Sequence, residues 1–218
     1  MQSYSAKSDD YFAHARKEIQ PLLPPNCGDV LEIGCGSGET LGWLRQDHQA
    51  LRTVGVEIAN VAAEKACNFA NEVHSLDFEQ YDLPNGPQKF DLVLCLDVLE
   101  HMVDPWSVVD RLATQYLKVG GTLLVSLPNV RHYSVVLPLL FKGRWDYEVA
   151  GLLDRTHLRF FTKASAQALL SHPELGPVFC TATGFEGWSL KRVLNAMTLG
   201  IFQELVTYQY FLSVIKVR

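Results

Sequence analysis

The sequence predicts an α/β fold, a doubly wound parallel sheet with helices on both faces, and three observations carry that prediction. Short apolar runs alternate with segments of helical period along most of the chain, the rhythm of strand–helix–strand units. One run, Phe90–Leu96, is apolar except for Asp91, as a central strand buried on both faces requires. Another, Val30–Ile33, opens into glycines at alternate positions, Gly34, Gly36 and Gly38, and a helical stretch, Thr40–Gln46, follows at once. Glycine has no Cβ, so a ligand can lie against the bare backbone of such a turn.

The elements follow in order. Residues Ser8–Leu23 carry Tyr11, Phe12, Ala15 and Ile19 on one helical face, and Pro24-Pro25-Asn26 ends the helix. That stripe fits either packing on the domain edge or a lid, spanning residues 1–26, that brings Tyr11 or Phe12 over a ligand. Thr53–Val56 reads as a second strand ending on Glu57. Asn60 is placed to cap a helix running to about Glu72, with Ala62, Ala66, Phe69 and Val73 on one face. His74–Leu76 reads as a weak third strand leading into Asp77-Phe78, and Asn85-Gly86-Pro87 as a turn. After the fourth strand, Asp104-Pro105 is a sound helix start, because Asp caps and Pro is tolerated at the first helical position. That helix carries Val108, Val109, Leu112 and Tyr116 inward and is expected to end near Gly120-Gly121. Thr122–Leu127 is the fifth strand, stopped by Pro128-Asn129. Farther on, Thr183–Leu190 is a candidate sixth strand, Asn195–Leu205 a helix and Tyr210–Val217 the final strand. In such sheets ligands bind beyond the carboxyl ends of the strands, where the strand order switches.

Composition narrows the function. The 218 residues suit one domain, 1–218, with a sizeable core. Nineteen Lys and Arg against 24 Asp and Glu leave a net charge of −5, which argues against nucleic acid as a partner. Five scattered cysteines without a CxxC argue against a zinc site or a disulfide framework and fit a reducing cytoplasm. The opening MQSYSAKSDD has no apolar core of a leader, and no run reaches the roughly 18 apolar residues of a membrane span. A cytoplasmic location with no integral membrane segment is therefore expected.

The glycine turn does not fit a dinucleotide. A GxGxxG frame needs its last glycine at Glu39 or at Leu41, and both fail. The pattern is instead GxGxG, with the acid Glu32 just before it and Glu57 about 20 residues on, where a carboxylate can take both hydroxyls of a ribose. A nicotinamide oxidoreductase is thereby disfavoured. The ordered set VLEIGCGSGE, VGVEI, SLDFEQ and DLVLCLDVLEHMVDP resembles the successive motifs of class I S-adenosylmethionine-dependent methyltransferases, over roughly Tyr11–Leu127. The resemblance implies a Rossmann-like sheet of about seven strands whose last strand is antiparallel. It implies S-adenosylmethionine as cofactor and S-adenosylhomocysteine as product. Glu32 and the turn Gly34, Cys35, Gly36 and Gly38 would face the methionine part. Glu57 with Ile58 would hold the ribose, Asp77 and Phe78 the adenine, and Cys95-Leu96 the amino-acid end through their backbone.

Methyl transfer from a sulfonium is an in-line displacement in which the cofactor supplies the activated methyl, so the protein mainly aligns the reactants and no metal is required. A hydroxyl acceptor gains from a general base within hydrogen-bond reach. The acceptor pocket is expected from residues 129–162, too long for a plain connection. Its candidates are His157 as base, then His132, then Glu100-His101, with Tyr133 and Trp145 as pocket walls. His157 is equally readable as a histidine that ties the chain to the sheet. If Arg155–Phe161 is extended, Arg155, His157 and Arg159 line one side against Thr156, Leu158 and Phe160. Arg155 and Arg159 would then bind an acidic group of the acceptor, or pair with Asp146, Glu148 or Asp154. The apolar run Val135–Phe141 reads as a lid helix, an acceptor groove or a patch that meets a lipid-linked substrate. Thr162 caps a helix Lys163–Leu170. PNVRHYS with LDRTHLRFFT resembles bacterial methyltransferases associated with glycan and sugar modification. The expected function is O-methylation of a sugar or other small molecule by a monomer or homodimer. The alternatives are N-methylation of an amino sugar or amine, and a cofactor-binding module without turnover.

Overall fold

A computed structural model describes residues 15–84, 86, 89–182, 197 and 203–218. Seven strands form one sheet: β1 Gly28–Ile33, β2 Ala50–Glu57, β3 Glu72–Ser75, β4 Phe90–Leu96, β5 Leu117–Pro128, β6 Phe179–Ala182 and β7 Gln209–Ile215. Their spatial order is β3-β2-β1-β4-β5-β7-β6. The first five run parallel, and β7 is antiparallel to both its neighbours. The chain winds outward from β1 to β3, returns, and winds the other way from β4. The switch point therefore lies between β1 and β4, which pair from Val30–Leu92 to Ile33–Cys95.

Helices α1 Glu39–Asp47, α2 Asn60–Ala66, α3 Pro105–Arg111, α4 Tyr133–Lys142, α5 Lys163–Leu169 and α6 Gln203–Val206 complete the described elements. Successive residues of the central strands feed two separate cores. Leu31, Ile33, Val93, Cys95, Leu123 and Val125 pack with Leu112 and Tyr116 on one face. Val30, Leu92, Leu94 and Leu124 pack with Ile19, Leu41 and Leu44 on the other. That alternation follows from the two-residue repeat of a strand. No helix among the described residues is long and apolar enough to cross a membrane.

Several boundaries depart from expectation. Lys17–Leu22 is a 3-10 turn with Pro21 inside it, not the end of an α-helix; Tyr11 and Phe12 lie outside the described residues. The helix after β2 stops at Ala66 rather than near Glu72. The Asn71 carboxamide oxygen accepts from the Thr53 backbone N–H (2.9 Å) and hydroxyl (3.0 Å), which starts β3 early. Asn60 does not cap α2; its side chain accepts instead from Ser75 (2.5 Å). After α3 the chain makes a single wide turn, Leu112–Tyr116, and β5 begins before Gly120-Gly121 instead of after them. Thr183–Leu190 and most of Asn195–Leu205 lie outside the described residues, and the sixth strand is Phe179–Ala182. The Asp104 cap on Ser107 (3.1 Å) and the Thr162 cap form as expected, and Ser165 completes a capping box with Thr162.

Candidate active site

The carboxyl ends of β1, β2, β4 and β5 bring the expected cofactor residues to one side of the sheet. The glycine turn is fixed there by backbone. The N–H groups of Gly34 (2.8 Å) and Cys35 (3.0 Å) donate to the Val56 carbonyl at the end of β2. Gly38 begins α1 at φ +88°, and a Cβ there would lie 2.9 Å from Ala66 Cα and 3.2 Å from its carbonyl oxygen. The close approach of α1 to α2 therefore requires glycine at this position. Gly34 lies at φ +72°, and a Cβ there would meet the Val98 side chain at 2.8 Å.

Two acids flank the turn. Glu57 accepts from the Gly36 N–H (3.0 Å) and the Ala59 N–H (2.9 Å), so its carboxylate is already aimed along the turn. Burial raises its pKa, and the N–H groups of Ala59, Gly36 and Ile58 oppose that rise. Glu32 is only 3% exposed, and its Oε2 has no hydrogen-bond partner among the described residues. Burial pushes its carboxyl up to about 8; Arg16 opposes, while Glu39 and Glu57 add to it. A buried carboxyl oxygen left unbonded is expensive unless something polar meets it. The ammonium-bearing methionine part of S-adenosylmethionine is such a group. The carboxylate of Glu57 at the end of β2 suits ribose hydroxyls. The residues present therefore fit the cofactor that the motif order implied.

Cys35 and Cys95 are buried thiols whose pKa values burial pushes far up, so they stay protonated and contribute backbone and packing rather than thiolate chemistry. Leu96 closes β4 beside them. Asp77 is half-buried and accepts from the Glu79 N–H (2.9 Å) and the Gln80 amide (2.7 Å), which forms a tight turn at the end of β3. Phe78 is the residue expected against adenine. It is buried in the core, with the Arg111 guanidinium 4.3 Å over its ring and Tyr116 edge-on at 5.4 Å.

Sequence reasoning missed one polar hub. Asp97, just past β4, holds φ +54°, a backbone region that Asp tolerates better than most residues. Its N–H donates to Ser126 Oγ (3.0 Å), and its carboxylate accepts from Ser126 Oγ (2.8 Å), from the Gln209 amide and from Arg16. Arg16 also donates its backbone N–H to Thr40 Oγ1 (3.2 Å). The hub pins residue 16 across the ends of β4, β5 and β7. The signal was present in DLVLCLDVLEH as an acid directly after an apolar strand.

The segment 129–162 closes on itself at its base. Asn129 and Phe161 form a parallel bridge, and Val130 N–H donates to the Phe161 carbonyl (2.9 Å). The expected two-sided strand Arg155–Phe161 does not form. Asp154 accepts from Thr156 N–H (2.8 Å) and its carbonyl from His157 N–H (3.0 Å), a turn that breaks the alternation. His157 ends up buried while Arg155 and Leu158 are exposed. Arg155 reaches back to the Glu148 carbonyl (3.5 Å). Arg159 donates to the Val103 carbonyl and lies 5.8 Å over the Trp106 ring. Neither arginine belongs to a shared row with His157.

The structure does bring His101 and His157 together, with ring centroids 4.7 Å apart. His101 Nδ1 lies 3.1 Å from the Thr156 carbonyl and His157 Nδ1 3.2 Å from the Leu152 carbonyl. Phe160 stands 6.2 Å from His157 and carries Trp145 at 5.1 Å, giving an aromatic wall beside the two imidazoles. His132 has a different place. It caps α4 through Ser134, packing on Tyr133 at 4.3 Å and Tyr208 at 5.5 Å.

Residues 8–172 match the methyltransferase domain family. A ubiquinone biosynthesis O-methyltransferase of Coxiella burnetii is 31% identical over 144 residues, which cover 60% of each chain. A 27-O-demethylrifamycin SV methyltransferase of Amycolatopsis mediterranei is 32% identical over 126 residues, covering 55% of this chain and 46% of that one. The chain thus spans 60% or less of the length of these curated relatives. A solved S-adenosylmethionine-dependent methyltransferase of Archaeoglobus fulgidus shares the fold, with a TM-score of 0.68 at 18% identity over 98% of this chain and 100% of that one. With three quarters of its length matched, the chain belongs to the methyltransferase domain family, and its fold is that of a solved S-adenosylmethionine-dependent methyltransferase.

Proposed function

We propose that this chain transfers the methyl group of S-adenosylmethionine to a hydroxyl of a small-molecule acceptor. The observation that carries the reading is the pairing of His101 with His157 beside the end of β4. Each Nδ1 sits on a backbone carbonyl, an arrangement that suits the tautomer with its proton on Nδ1 and a basic Nε2. Two such nitrogens beside the carboxyl end of a central strand suit activation of an acceptor O–H more than recognition of a charge. The hydroxyl oxygen forms the new bond to the methyl carbon. The C–S pair returns to sulfur, giving the neutral thioether S-adenosylhomocysteine, and the hydroxyl proton leaves through the His101–His157 cluster. Orientation of the two reactants is expected to supply much of the rate, on the order of 7–11 kcal/mol in well-aligned systems. The oxygen-methylating names of the two curated relatives support oxygen over nitrogen as nucleophile.

Trp145, Tyr147 and Phe160 supply an aromatic wall, which suits the flat face of a sugar or of an aromatic ring. The reading extends to an enzyme of the cytoplasm, a monomer or homodimer without a nucleic-acid partner, in which residues 129–162 form the acceptor pocket. Calorimetry with S-adenosylhomocysteine, followed by a panel of hydroxyl and amine metabolites scored by S-adenosylhomocysteine release, tests it. The expected result is cofactor binding with turnover on hydroxyl compounds. Turnover confined to amines overturns the choice of oxygen, and binding without turnover on any acceptor points to a module that only holds the cofactor.

A further inference from the structure

We propose that Glu100, His101 and His157 form a binding site for one divalent first-row transition-metal ion, placed to bind the acceptor oxygen. One ligand atom from each residue lies within 4.8 Å of those of the other two. Donor atoms around an ion with bonds of about 2.1 Å stand roughly 3–4 Å apart, so the set closes with a movement on the order of 1 Å.

Three further observations match a metal site. The first is the tautomers: both Nδ1 atoms rest on backbone carbonyls, Thr156 for His101 and Leu152 for His157. Metal-bound histidines are commonly oriented in this way, with the second ring nitrogen donating to a carbonyl and the first left to ligate. The second is rigidity. The Glu100 carbonyl accepts from the N–H groups of both Leu158 (2.8 Å) and Arg159 (3.0 Å). The turn Leu99–His101 and the segment carrying His157 are thereby joined at the backbone before any ion arrives. The third is burial. Glu100 is 1% and His157 8% exposed, a setting in which a carboxylate is held by a cation or by a full set of hydrogen bonds.

Two imidazoles and a carboxylate select Zn2+, Mn2+ or Fe2+ over Mg2+, which prefers oxygen and water. Three protein ligands leave coordination positions for an outside oxygen. An acceptor hydroxyl bound there becomes acidic, as metal-bound water does. With both imidazoles on the ion, the hydroxyl proton passes to bulk water in place of the His101–His157 cluster, and the alkoxide or phenoxide oxygen then forms the bond to the methyl carbon while the C–S pair moves to sulfur. The role assigned to the ion rests on the methyl-transfer reading; its binding does not.

The test therefore reads the metal alone. Purified chain is stripped with EDTA, dialysed and titrated with ZnCl2 and with MnCl2 in a calorimeter, and metal content is counted by plasma mass spectrometry. The expected result is one ion per chain. Glu100→Gln, His101→Asn and His157→Asn are each expected to weaken it by at least about 100-fold, the upper range for losing even an outer partner of a metal site. His172→Asn, which removes a surface partner of Asp110, is expected to leave metal affinity unchanged. S-adenosylhomocysteine affinity, measured on each protein, shows that the fold is intact. Should a variant fail to fold, electron paramagnetic resonance of the Cu2+-loaded wild type counts its nitrogen ligands, with two imidazoles expected. Absence of stoichiometric metal in a wild type that binds S-adenosylhomocysteine overturns the proposal. So does equal metal affinity across the folded variants, or a Cu2+ signal without two nitrogens. Failure to find an acceptor would count against the methyl-transfer reading and leave these measurements standing.

Discussion

The two sides of the proposed site, one for cofactor and one for acceptor, are built from different material. On the cofactor side, backbone meets backbone: the glycine turn hangs from the Val56 carbonyl, and Glu57 grips the Gly36 and Ala59 N–H groups. On the acceptor side, side chains do the shaping: His101, His157, Phe160 and Trp145 pack ring against ring, on loops tied to the end of β4. A backbone-built cradle depends on a few positions where glycine or an acid is obligatory and is indifferent to the rest. A side-chain-built wall can change its ligand by changing rings. The difference teaches that cofactor affinity and acceptor chemistry should separate cleanly under mutation.

The sharpest way to break that separation is His157→Asn. Its removal is expected to lower kcat by about 10²- to 10⁴-fold, the range for a group that handles a proton in the transition state, with S-adenosylhomocysteine affinity unchanged. A parallel loss of cofactor binding would join the two sides into one. Next comes Gly38→Val. The new Cβ meets the backbone of Ala66 at a φ of +88°, and the strain with the clash should lower stability by about 2–4 kcal/mol in urea melts. Glu57→Ala should weaken S-adenosylhomocysteine by about 10- to 100-fold, since charge-assisted hydrogen bonds each contribute roughly 1.5–3 kcal/mol. Its effect on the acceptor KM should be small.

The gentlest test is pH. The folded pKa of Glu32 is raised to about 8, against an unfolded value near 4.5. The folded state therefore holds a proton that the unfolded state has lost between those values. The stabilising contribution is complete below the unfolded pKa and disappears as pH rises through about 8. Cofactor-free protein should thus melt at lower temperature at pH 9 than at pH 6, and Glu32→Gln should flatten that slope. Cofactor with its ammonium favours the ionised acid, so S-adenosylhomocysteine should bind less tightly below pH 8 and release protons to the buffer as it binds. A wild type and a Glu32→Gln variant with identical pH profiles would remove Glu32 from the cofactor side.

The same division governs what could be read from the chain without coordinates. The glycine turn, the apolar β4 and the Asp104-Pro105 start are local signals, each enforced within a few residues, and they appear where expected. The end of α2 is not local. It is decided by Asn71 reaching a hydroxyl 18 residues away on β2, a partner that no periodicity displays. Gly120-Gly121 looked like a helix stop and is part of β5, because the turn at Leu112–Tyr116 had already ended the helix. His157 was legible as a residue and not as a geometry. The Asp154 turn that buries it also undoes the alternation that would have set it beside Arg155 and Arg159. Asp97 was passed over because its importance lies in whom it meets, Arg16, Ser126 and Gln209, far apart along the chain.

The Asn129–Phe161 bridge has one more consequence. The segment it closes departs from the sheet and rejoins it there, and it is held again by the Glu100 carbonyl, by the Thr156 carbonyl against His101 and by Arg159 on the Val103 carbonyl. On the proposed reading, a change of acceptor is therefore expected from changes within residues 129–162, with β1 to β5 left as they are.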